Sequence, residues 1–412
     1  MSTITECRGC GSPDLKEFLD LGETPLADAL ADAETVANPD VEERFPLKVA
    51  FCPVCALVQI TENVEPTKLF VDNYHYFSSF SDHLLRHSRE HAMNLVESRG
   101  LDADSLVVEL ASNDGYLLKN FVEAGVPVVG YEPSPGPAQA ARDIGVTTRE
   151  EFFGLEAATK LRSEGKAADV IIANNVFAHI PLPNDFMAGI AHLLADDGLV
   201  TIENPNVWDL VERCAFDTIY HEHFFYHSCV SIKAFAERHG LFLNDIDYFE
   251  DLHGGTLRWH LGKHDEPTER LIERLVAERA AGLDDFAFFA DFGSKVDTLR
   301  ADLMKMLREL KAEGKTIAAY GAAAKGATML NATGITTDLV DYVVDRNVHK
   351  QGKFMPGTHQ EIFDVDILTG DNPPDVVLVL AWNFAAEIMA QQADYTAAGG
   401  KFIIPVPSPE LI

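Results

Sequence analysis

The chain has 412 residues, with 33 Lys or Arg and 65 Asp or Glu, so its formal net charge is 33 − 65 = −32. Sequence-blind binding to DNA or to an anionic membrane requires a basic face, so this charge argues against a nucleic-acid or membrane partner. The chain has no apolar run of the roughly 18 residues that span a bilayer, and its start lacks the pattern of a secretory signal. We therefore expect a soluble, cytoplasmic protein of two to three domains.

Four of the six cysteines form two CxxC pairs near the start of the chain, Cys7 with Cys10 and Cys52 with Cys55. Each pair can present two thiolates to one tetrahedral ion. In a reducing compartment, such pairs indicate metal ligation or redox chemistry before structural disulfides. We predict a structural zinc site in a small domain over residues 1–75. A redox pair and unligated buried cysteines are the alternatives.

Strand-like apolar runs alternate with helical stretches through the middle of the chain, which predicts a parallel sheet with crossover helices. An amphipathic helix at 81–98 precedes them. Two strand-like runs follow each other near the end, at 241–249 and 256–261, and predict an antiparallel pair. We assign residues 76–265 to a central Rossmann-like α/β domain. The predicted parallel strands are 106–110, 126–131, 170–173 and 198–203.

The first of these strands ends in an acidic residue and leads through a small-residue turn into a helix. Such a turn lets the backbone approach a ligand, and the helix N-terminus supplies free amides. S-adenosylmethionine methyltransferases have E/D-x-G-x-G-x-G at this place. Here the pattern is Glu109-x-Ala111-x-Asn113-x-Gly115, in which only the last glycine is kept. Asn tolerates positive φ better than most residues. A dinucleotide site is a competitor at this point.

Features downstream favour S-adenosylmethionine. Glu132 ends the second strand, where its carboxylate could accept hydrogen bonds from both ribose hydroxyls, although a loop acid is the alternative. Asn174 lies at the edge where a backbone carbonyl meets the cofactor in such enzymes. Either Phe152 or Phe153 could flank the adenine, with core packing as the other interpretation. We select Phe153.

The segment from Tyr220 to His227, YHEHFFYH, is the densest group of reactive side chains in the sequence. It is not an HExxH metal motif, because position 225 is Phe. Metal binding, a buried polar network and acid–base chemistry are the three interpretations, and a His beside a carboxylate favours the last. Strand alternation would place the side chains on two faces: Tyr220, Glu222 and Phe224 on one, and His221 and His223 on the other.

The last part of the chain predicts a charged helical connector over 266–313 and a second α/β unit over 314–412. The stretch from Tyr320 through Lys325 to Gly326 follows a strand and opens a helix, which resembles a broken dinucleotide fingerprint. A working NAD site is one interpretation, and a purely structural domain is another. We favour amides and Lys325 that bind a diphosphate. Trp382 and Asn383 lie at a plausible cleft edge without an assigned role.

In their order and spacing, these motifs resemble those of the sugar C-methyltransferases, which methylate C3 of dTDP-linked 4-keto deoxysugars. The resemblance covers nearly the whole chain. It includes the cysteine pairs, the turn after Glu109, and five further stretches of sequence: YxYFSSFSD, NNVFAHI, the segment from Asp217 through EHFFYHS, HGGTLRW at 253–259 and YGAAAKGATMLN at 320–331.

The resemblance implies an N-terminal zinc domain, a central S-adenosylmethionine domain and a C-terminal Rossmann-like domain that helps to hold the nucleotide sugar. It implies two cofactors, S-adenosylmethionine and structural zinc, and a dTDP-sugar substrate in deoxysugar biosynthesis. We expect a monomer. Matched position by position, the family's active-site residues fall on these side chains: His223, Glu222, Tyr220, His179 and Tyr76 as catalytic candidates, with Tyr74 as a substrate-binding candidate. Lys325 and Tyr320, from the second α/β unit, are the further substrate-binding candidates.

The chemistry is consistent with these assignments. A carbon next to a ketone accepts a methyl group only after it has lost a proton, and the enolate oxygen must be stabilised by donors placed in advance. We predict His223 as the base. Tyr220, His179 or Tyr76 could donate to the C4 oxygen, and Glu222 could orient His223 or bind a sugar hydroxyl. The rival hypotheses are an NAD-dependent enzyme acting on a nucleotide sugar and a non-enzymatic zinc-containing binding protein.

Overall fold

The structure is a computed structural model that describes residues 2–64, 77–80, 82–252 and 254–412. Two predicted site residues, Tyr74 and Tyr76, lie outside these ranges. So does His253 of the HGGTLRW stretch.

The strands fall into three larger sheets and one two-stranded ribbon within the described ranges. Their bounds in chain order are as follows: β1 Ser2–Thr3, β2 Lys16–Thr24, β3 Phe45–Phe51, β4 Val58–Ile60, β5 Glu62–Asn63, β6 Val107–Leu110, β7 Val128–Tyr131, β8 Thr148–Arg149, β9 Ala168–Asn174, β10 Leu194–Pro205, β11 Phe225–Tyr226, β12 Phe242–Phe249, β13 Thr256–Gly262, β14 Ile317–Tyr320, β15 Tyr342–Val344, β16 Ile362–Phe363, β17 Val376–Val379, β18 Lys401–Ile404 and β19 Glu410–Leu411.

The helices connect these strands or join the sheets to one another. Their bounds are as follows: α1 Ala33–Ala37, α2 Asp82–Arg99, α3 Leu118–Glu123, α4 Pro135–Asp143, α5 Leu155–Ser163, α6 Pro183–Leu193, α7 Val207–Glu212, α8 Cys229–Glu237, α9 Glu269–Ala281, α10 Phe292–Ala312, α11 Ala324–Thr333, α12 Ala385–Gln391 and α13 Ala393–Ala397.

The N-terminal sheet has the strand order β11-β4-β3-β2 and is antiparallel. Strands β2, β3 and β4 follow or flank the cysteine pairs, but β11 comes from a distant part of the chain. Phe225 pairs with Gln59 and Tyr226 with Val58. The reactive segment therefore supplies an edge strand to the sheet of the cysteine-bearing domain.

The central sheet has the order β12-β13-β10-β9-β6-β7-β8, with β10 to β8 parallel and β12 and β13 antiparallel, as the sequence predicted. The strand order reverses between β6 and β9. In sheets of this kind, ligands bind at the carboxyl ends of the strands beside that reversal. The predicted cofactor turn follows β6, and Asn174 ends β9, so both lie at this point.

The C-terminal sheet also contains a reversal of strand order, with the order β16-β15-β14-β17-β18-β19. Its strands are parallel except for β19, and the order reverses between β14 and β17. Lys325 follows β14, and Trp382 follows β17. The predicted diphosphate-binding residue and the unassigned tryptophan therefore meet at the second switch point.

One hydrophobic core is shared by the N-terminal sheet, the reactive segment, α10 and the inner face of the C-terminal sheet. Helix α10 spans the junction because its buried residues recur at helical spacing, with Phe292, Val296 and Leu299 followed by three leucines. Separate clusters cover the two faces of the central sheet and the outer face of the C-terminal sheet. In the described part of the chain, no helix is both long and apolar enough to cross a membrane.

Candidate functional site

The four predicted cysteine ligands come together in the N-terminal domain. Their sulfur atoms all lie within 4.8 Å of one another, with Cys7 3.6 Å from Cys55 and Cys10 3.5 Å from Cys52. Tetrahedral zinc with Zn–S bonds of about 2.3 Å requires sulfur–sulfur separations of about 3.8 Å. The donor set therefore fits zinc. All four positions are filled by thiolates, so the ion has a structural role.

The turn after β6 adopts the conformation of a glycine-rich loop although two of its glycines are replaced. The φ angles are +55° at Ala111, +47° at Asn113 and +77° at Gly115. Glu109 is fully buried at the strand end, and burial, reinforced by the charges of Asp114 and Glu132, raises its pKa well above the ordinary value. Its Oε2 has no hydrogen-bond partner among the described residues.

Glu132 lies beside this turn, at the end of β7. Its Oε2 accepts the Asn113 N–H at 3.0 Å, and its Oε1 accepts the Ser134 N–H at 2.8 Å. Burial raises the pKa of Glu132, although these amides act against the shift. Each carboxylate oxygen retains a second lone pair, so a ligand hydroxyl can still be accepted.

The FSSF stretch at 77–80 lies against the same turn, a contact that the sequence did not predict. The backbone N–H of Ser78 donates to Oδ1 of Asn113 at 2.9 Å, and that of Ser79 donates to Oδ2 of Asp114 at 3.2 Å. Two side chains of the cofactor turn thus hold the start of the segment that precedes α2.

The other predicted cofactor residues lie around this edge. Asn174 is 8% exposed, and its Oδ1 has no hydrogen-bond partner within the described ranges. Phe153 is half-buried and makes edge-on contacts with Tyr131 and Phe186, whereas Phe152 is exposed. Unsatisfied buried acceptors beside a left-handed turn fit a polar cofactor with ribose and amino groups.

His223 is held at both ring nitrogens. Its Nδ1–H donates to the carbonyl oxygen of Thr218 at 3.0 Å, so in the neutral ring Nε2 is the acceptor for the Tyr220 hydroxyl, 2.8 Å away. Phe224 N–H donates to Ala178 O at 2.7 Å, which ties the segment to the loop after β9. The imidazole therefore lies at the cofactor edge, with its basic nitrogen paired to a phenol.

The predicted strand alternation is wrong for this segment. Tyr220 and His223 are bonded to each other, although alternation assigned them to opposite faces. The reason is local: residues 216–218 form a 3-10 turn, a second turn follows, and extended pairing begins only at Phe225. A turn brings side chains three residues apart together, as in a helix.

The three histidines of the segment have separate surroundings. His221 is fully buried and donates through Nε2 to Pro46 O at 3.0 Å. His227 stacks on Phe177 with ring centroids 4.8 Å apart, and burial lowers its pKa to about 3. Only His223 is half-buried, and the three imidazoles do not converge on one point. His221 and His227 are therefore packing residues.

The two ring nitrogens of His223 bond to Thr218 and Tyr220, and the hydrogen bond found for the Glu222 carboxyl group lies elsewhere. Instead, its Oε1 accepts the backbone N–H of Asp28 at 3.4 Å, and its Oε2 has no partner among the described residues. Burial, reinforced by the negative charge of Asp28, raises the pKa of Glu222 to about 8. At neutral pH the protonated carboxyl can donate a hydrogen bond.

His179 lies next to His223, with ring centroids 4.6 Å apart in an edge-on arrangement. Burial lowers the pKa of His179 to about 4, so its ring is neutral at neutral pH. Because His179 is neutral, it does not repel a positive charge that forms on His223 during a reaction.

The C-terminal candidates separate into two groups. Lys325, in the first turn of α11, donates to Oδ1 of Asn383 at 2.9 Å, and its Nζ lies 4.6 Å from the ring centroid of Trp382. Burial lowers the pKa of Lys325, while the charge of Asp217 acts in the opposite direction. Tyr320 is buried in the cluster on the outer face of the sheet, so the structure does not bring it together with Lys325.

Comparisons with known families cover nearly the whole chain. The profile of a zinc binding domain matches residues 7–70, that of a methyltransferase domain matches 74–243, and that of a C-methyltransferase C-terminal domain matches 251–407. All three profiles are those of methyltransferase families. The matches therefore argue against the two rival hypotheses, an NAD-dependent enzyme and a non-enzymatic binding protein.

The chain is similar to individual proteins as well. The C-methyltransferase NovU of Streptomyces niveus is 35% identical over 99% of this chain and 97% of its own. An uncharacterized methyltransferase of Mycobacterium avium is 26% identical over 26% of this chain and 41% of its own. Among solved structures, magnesium protoporphyrin IX methyltransferase from Synechocystis is 14% identical, covering 44% of this chain and 83% of that one with a TM-score of 0.35. The chain belongs to the family of S-adenosylmethionine-dependent C-methyltransferases with an N-terminal zinc-binding domain.

Proposed function

We propose that this enzyme methylates C3 of a dTDP-linked 4-keto deoxysugar through an enolate, in deoxysugar biosynthesis. The observation that carries the proposal is the pairing of Tyr220 with Nε2 of His223 at the cofactor edge of the central sheet. A phenol and a neutral imidazole at one point supply the two functions that enolate formation requires: a donor for the ketone oxygen and a base for the neighbouring carbon.

The proton and the donor can be assigned to specific atoms. When the 4-keto oxygen enters the site, the Tyr220 hydroxyl turns from His223 to that oxygen. Nε2 of His223 can then take the C3 proton, and the imidazolium keeps its Nδ1–H on Thr218 O. Charge that develops on the C4 oxygen is stabilised by the Tyr220 donor, which has turned to that oxygen before the proton is removed.

S-adenosylmethionine, held by the turn after Glu109 and by Glu132, Phe153 and Asn174, supplies an electrophilic methyl group. The C3–CH3 bond would form as the bond from the sulfonium sulfur to that methyl group breaks, with S-adenosylhomocysteine as the leaving group. Glu222 is the candidate for a sugar hydroxyl, because its carboxyl is buried and has an oxygen without a partner among the described residues. Tyr76 remains a predicted catalytic residue and Tyr74 a predicted substrate contact, both outside the described ranges.

The nucleotide is assigned to the C-terminal switch point. The N-terminus of α11 and the Lys325 ammonium provide amides and positive charge where the strand order reverses, which suits a diphosphate. Tyr320, on the outer face of the same sheet, remains a separate candidate for nucleotide contact. The strong net negative charge of the chain makes such a local cation the more important for an anionic substrate.

The test is a methylation assay on a panel of nucleotide-linked sugars, with matched 4-keto and 4-hydroxy forms. We expect methyl transfer only to the keto forms, and a new C–CH3 signal at C3 in the product NMR spectrum. A ketone at C4 acidifies C5 as well as C3, so methylation at C5 would retain the enolate mechanism but refute the position. Methylation of an oxygen or of the 4-hydroxy sugars would refute the proposal.

A further inference from the structure

Trp382 of the C-terminal domain extends into the central domain. Its side chain is 9% exposed, and its Nε1–H donates to Oδ2 of Asp217 at 2.7 Å. The Lys325 ammonium covers one side of the ring. At Gly254, a Cβ atom would lie 3.0 Å from Cη2 of Trp382, so the glycine leaves the space that the indole occupies. Two parts of the central domain thus form a socket for one C-terminal side chain.

Asp217 connects this socket to the catalytic segment. It is fully buried in the 3-10 turn Phe216–Thr218, and one of its oxygens has no partner within the described ranges. The next residue, Thr218, provides the carbonyl that receives the Nδ1–H of His223. One peptide unit therefore separates the inter-domain hydrogen bond from the bond that fixes the tautomer of His223.

We propose that Trp382 and Asp217 are positioning residues for His223, so that docking of the C-terminal domain sets the orientation of the catalytic imidazole. The inference rests on the proposed function of His223 as the base. A displaced Thr218 carbonyl would let the ring rotate or change tautomer, and Nε2 would no longer face the substrate. Misplacement by about 1 Å can reduce turnover on the order of a hundredfold.

The first experiment is Trp382→Phe, which keeps an aromatic ring under Lys325 and removes the N–H. We expect a fall in kcat of about tenfold or more, with little change in KM for the nucleotide sugar. Lys325→Met is the contrasting variant and should raise KM instead. Trp208→Phe is the matched control, because Trp208 also lies under a cation, Arg274 at 4.7 Å, but outside the candidate site.

The second experiment measures His223 without turnover. In protein with 15N-labelled histidine, the His223 ring signals are assigned by their loss in His223→Asn. We expect a bonded Nδ1–H and an unprotonated Nε2 in the wild type and in Trp208→Phe, and a tautomer mixture in Trp382→Phe. Asp217→Asn keeps an acceptor for the indole and should restore most of the order that Asp217→Ala loses.

Folded Trp382→Phe with wild-type kcat and wild-type His223 signals would overturn the inference. If Trp382→Phe does not fold, the Asp217→Asn and Asp217→Ala pair gives the same decision. If His223 is not the base, His223→Asn will retain turnover. The tautomer measurement on Trp382→Phe still reports whether Trp382 orients the His223 ring, so the two failures can be told apart.

Discussion

The cofactor turn and the reactive segment are built in opposite ways. The turn from Glu109 to Gly115 lies within one strand–turn–helix unit and is completed by Glu132 on the adjacent strand. The reactive segment and the turn just before it have partners in all three parts of the chain. Ile60 N–H donates to Phe224 O in the N-terminal sheet, and Phe224 N–H donates to Ala178 O in the central domain. Trp382 of the C-terminal domain donates to Asp217, in the turn before the segment. The first region is a local motif, and the second exists only in the assembled molecule.

Because of this difference, we expect substitutions far from both regions to leave S-adenosylmethionine binding intact and to impair catalysis. The cysteine pairs illustrate the point, because β4 begins three residues after Cys55 and pairs with β11 of the reactive segment. A zinc ion held by these cysteines would therefore support the strand that anchors the reactive segment.

The largest effect should come from Cys52→Ser. Loss of one thiolate should lower zinc content and the free energy of unfolding together, by several kcal/mol, since structural zinc contributes directly to folding. Turnover should fall with them, because β11 loses its support. Zinc per chain, the unfolding midpoint and kcat are the measurements. Cys214→Ser is the control, since Cys214 is not one of the cluster cysteines. Full zinc retention would contradict the ligand assignment.

His223→Asn should come next. We expect both ligands to bind while kcat falls by roughly a hundredfold or more, as the loss of a general base typically costs. Calorimetry gives the binding constants, and exchange of the C3 hydrogen for solvent deuterium follows the proton-transfer step. His221→Asn is the comparison variant, because the His221 ring bonds to Pro46 O in the N-terminal sheet. Wild-type exchange in His223→Asn would move the base to Tyr76 or His179.

Glu132→Ala tests the locally built region. It should weaken S-adenosylmethionine binding by about tenfold, since hydrogen bonds to a charged group each contribute about 1.5–3 kcal/mol and part of this is regained from water. The fold and the His223 signals should stay unchanged. Glu132→Gln keeps one acceptor oxygen, so its dissociation constant should lie between those of the wild type and Glu132→Ala. An unchanged dissociation constant in Glu132→Ala would refute the placement.

The smallest effect is a pH dependence of stability caused by Glu222. Burial raises its pKa from 4.5 to about 8, so the folded state retains a proton that the unfolded state loses. The favourable contribution is complete below about pH 4.5 and is lost as the pH rises towards 8, with a slope of at most about 1.4 kcal/mol per pH unit. Denaturant unfolding across this range should show a shallower decline for Glu222→Gln. Parallel curves would contradict the buried, protonated state.

Much of the molecule could be predicted from local sequence. The central and C-terminal sheets follow from apolar runs that alternate with helices. The zinc site follows from the spacing of paired cysteines, and the left-handed turn follows from small residues after a strand. Each of these depends on residues close together in the chain or on one chemical type with few alternatives. The parallel strands, the antiparallel β12–β13 pair and the sulfur cluster were all found where the sequence predicted them.

The geometry of the reactive segment was decided by tertiary structure. Its sequence identified the reactive side chains, but alternation placed Tyr220 and His223 wrongly, and no pattern indicated Thr218, Asp28 or Trp382 as partners. Thr218 acts through a backbone carbonyl, which every residue has, and the other two are more than 160 residues away from their partners. Sequence specifies which groups are available and which local turns they favour. Which carbonyl fixes a tautomer, or which carboxyl is kept protonated, depends on burial and on charges that meet only when distant segments pack.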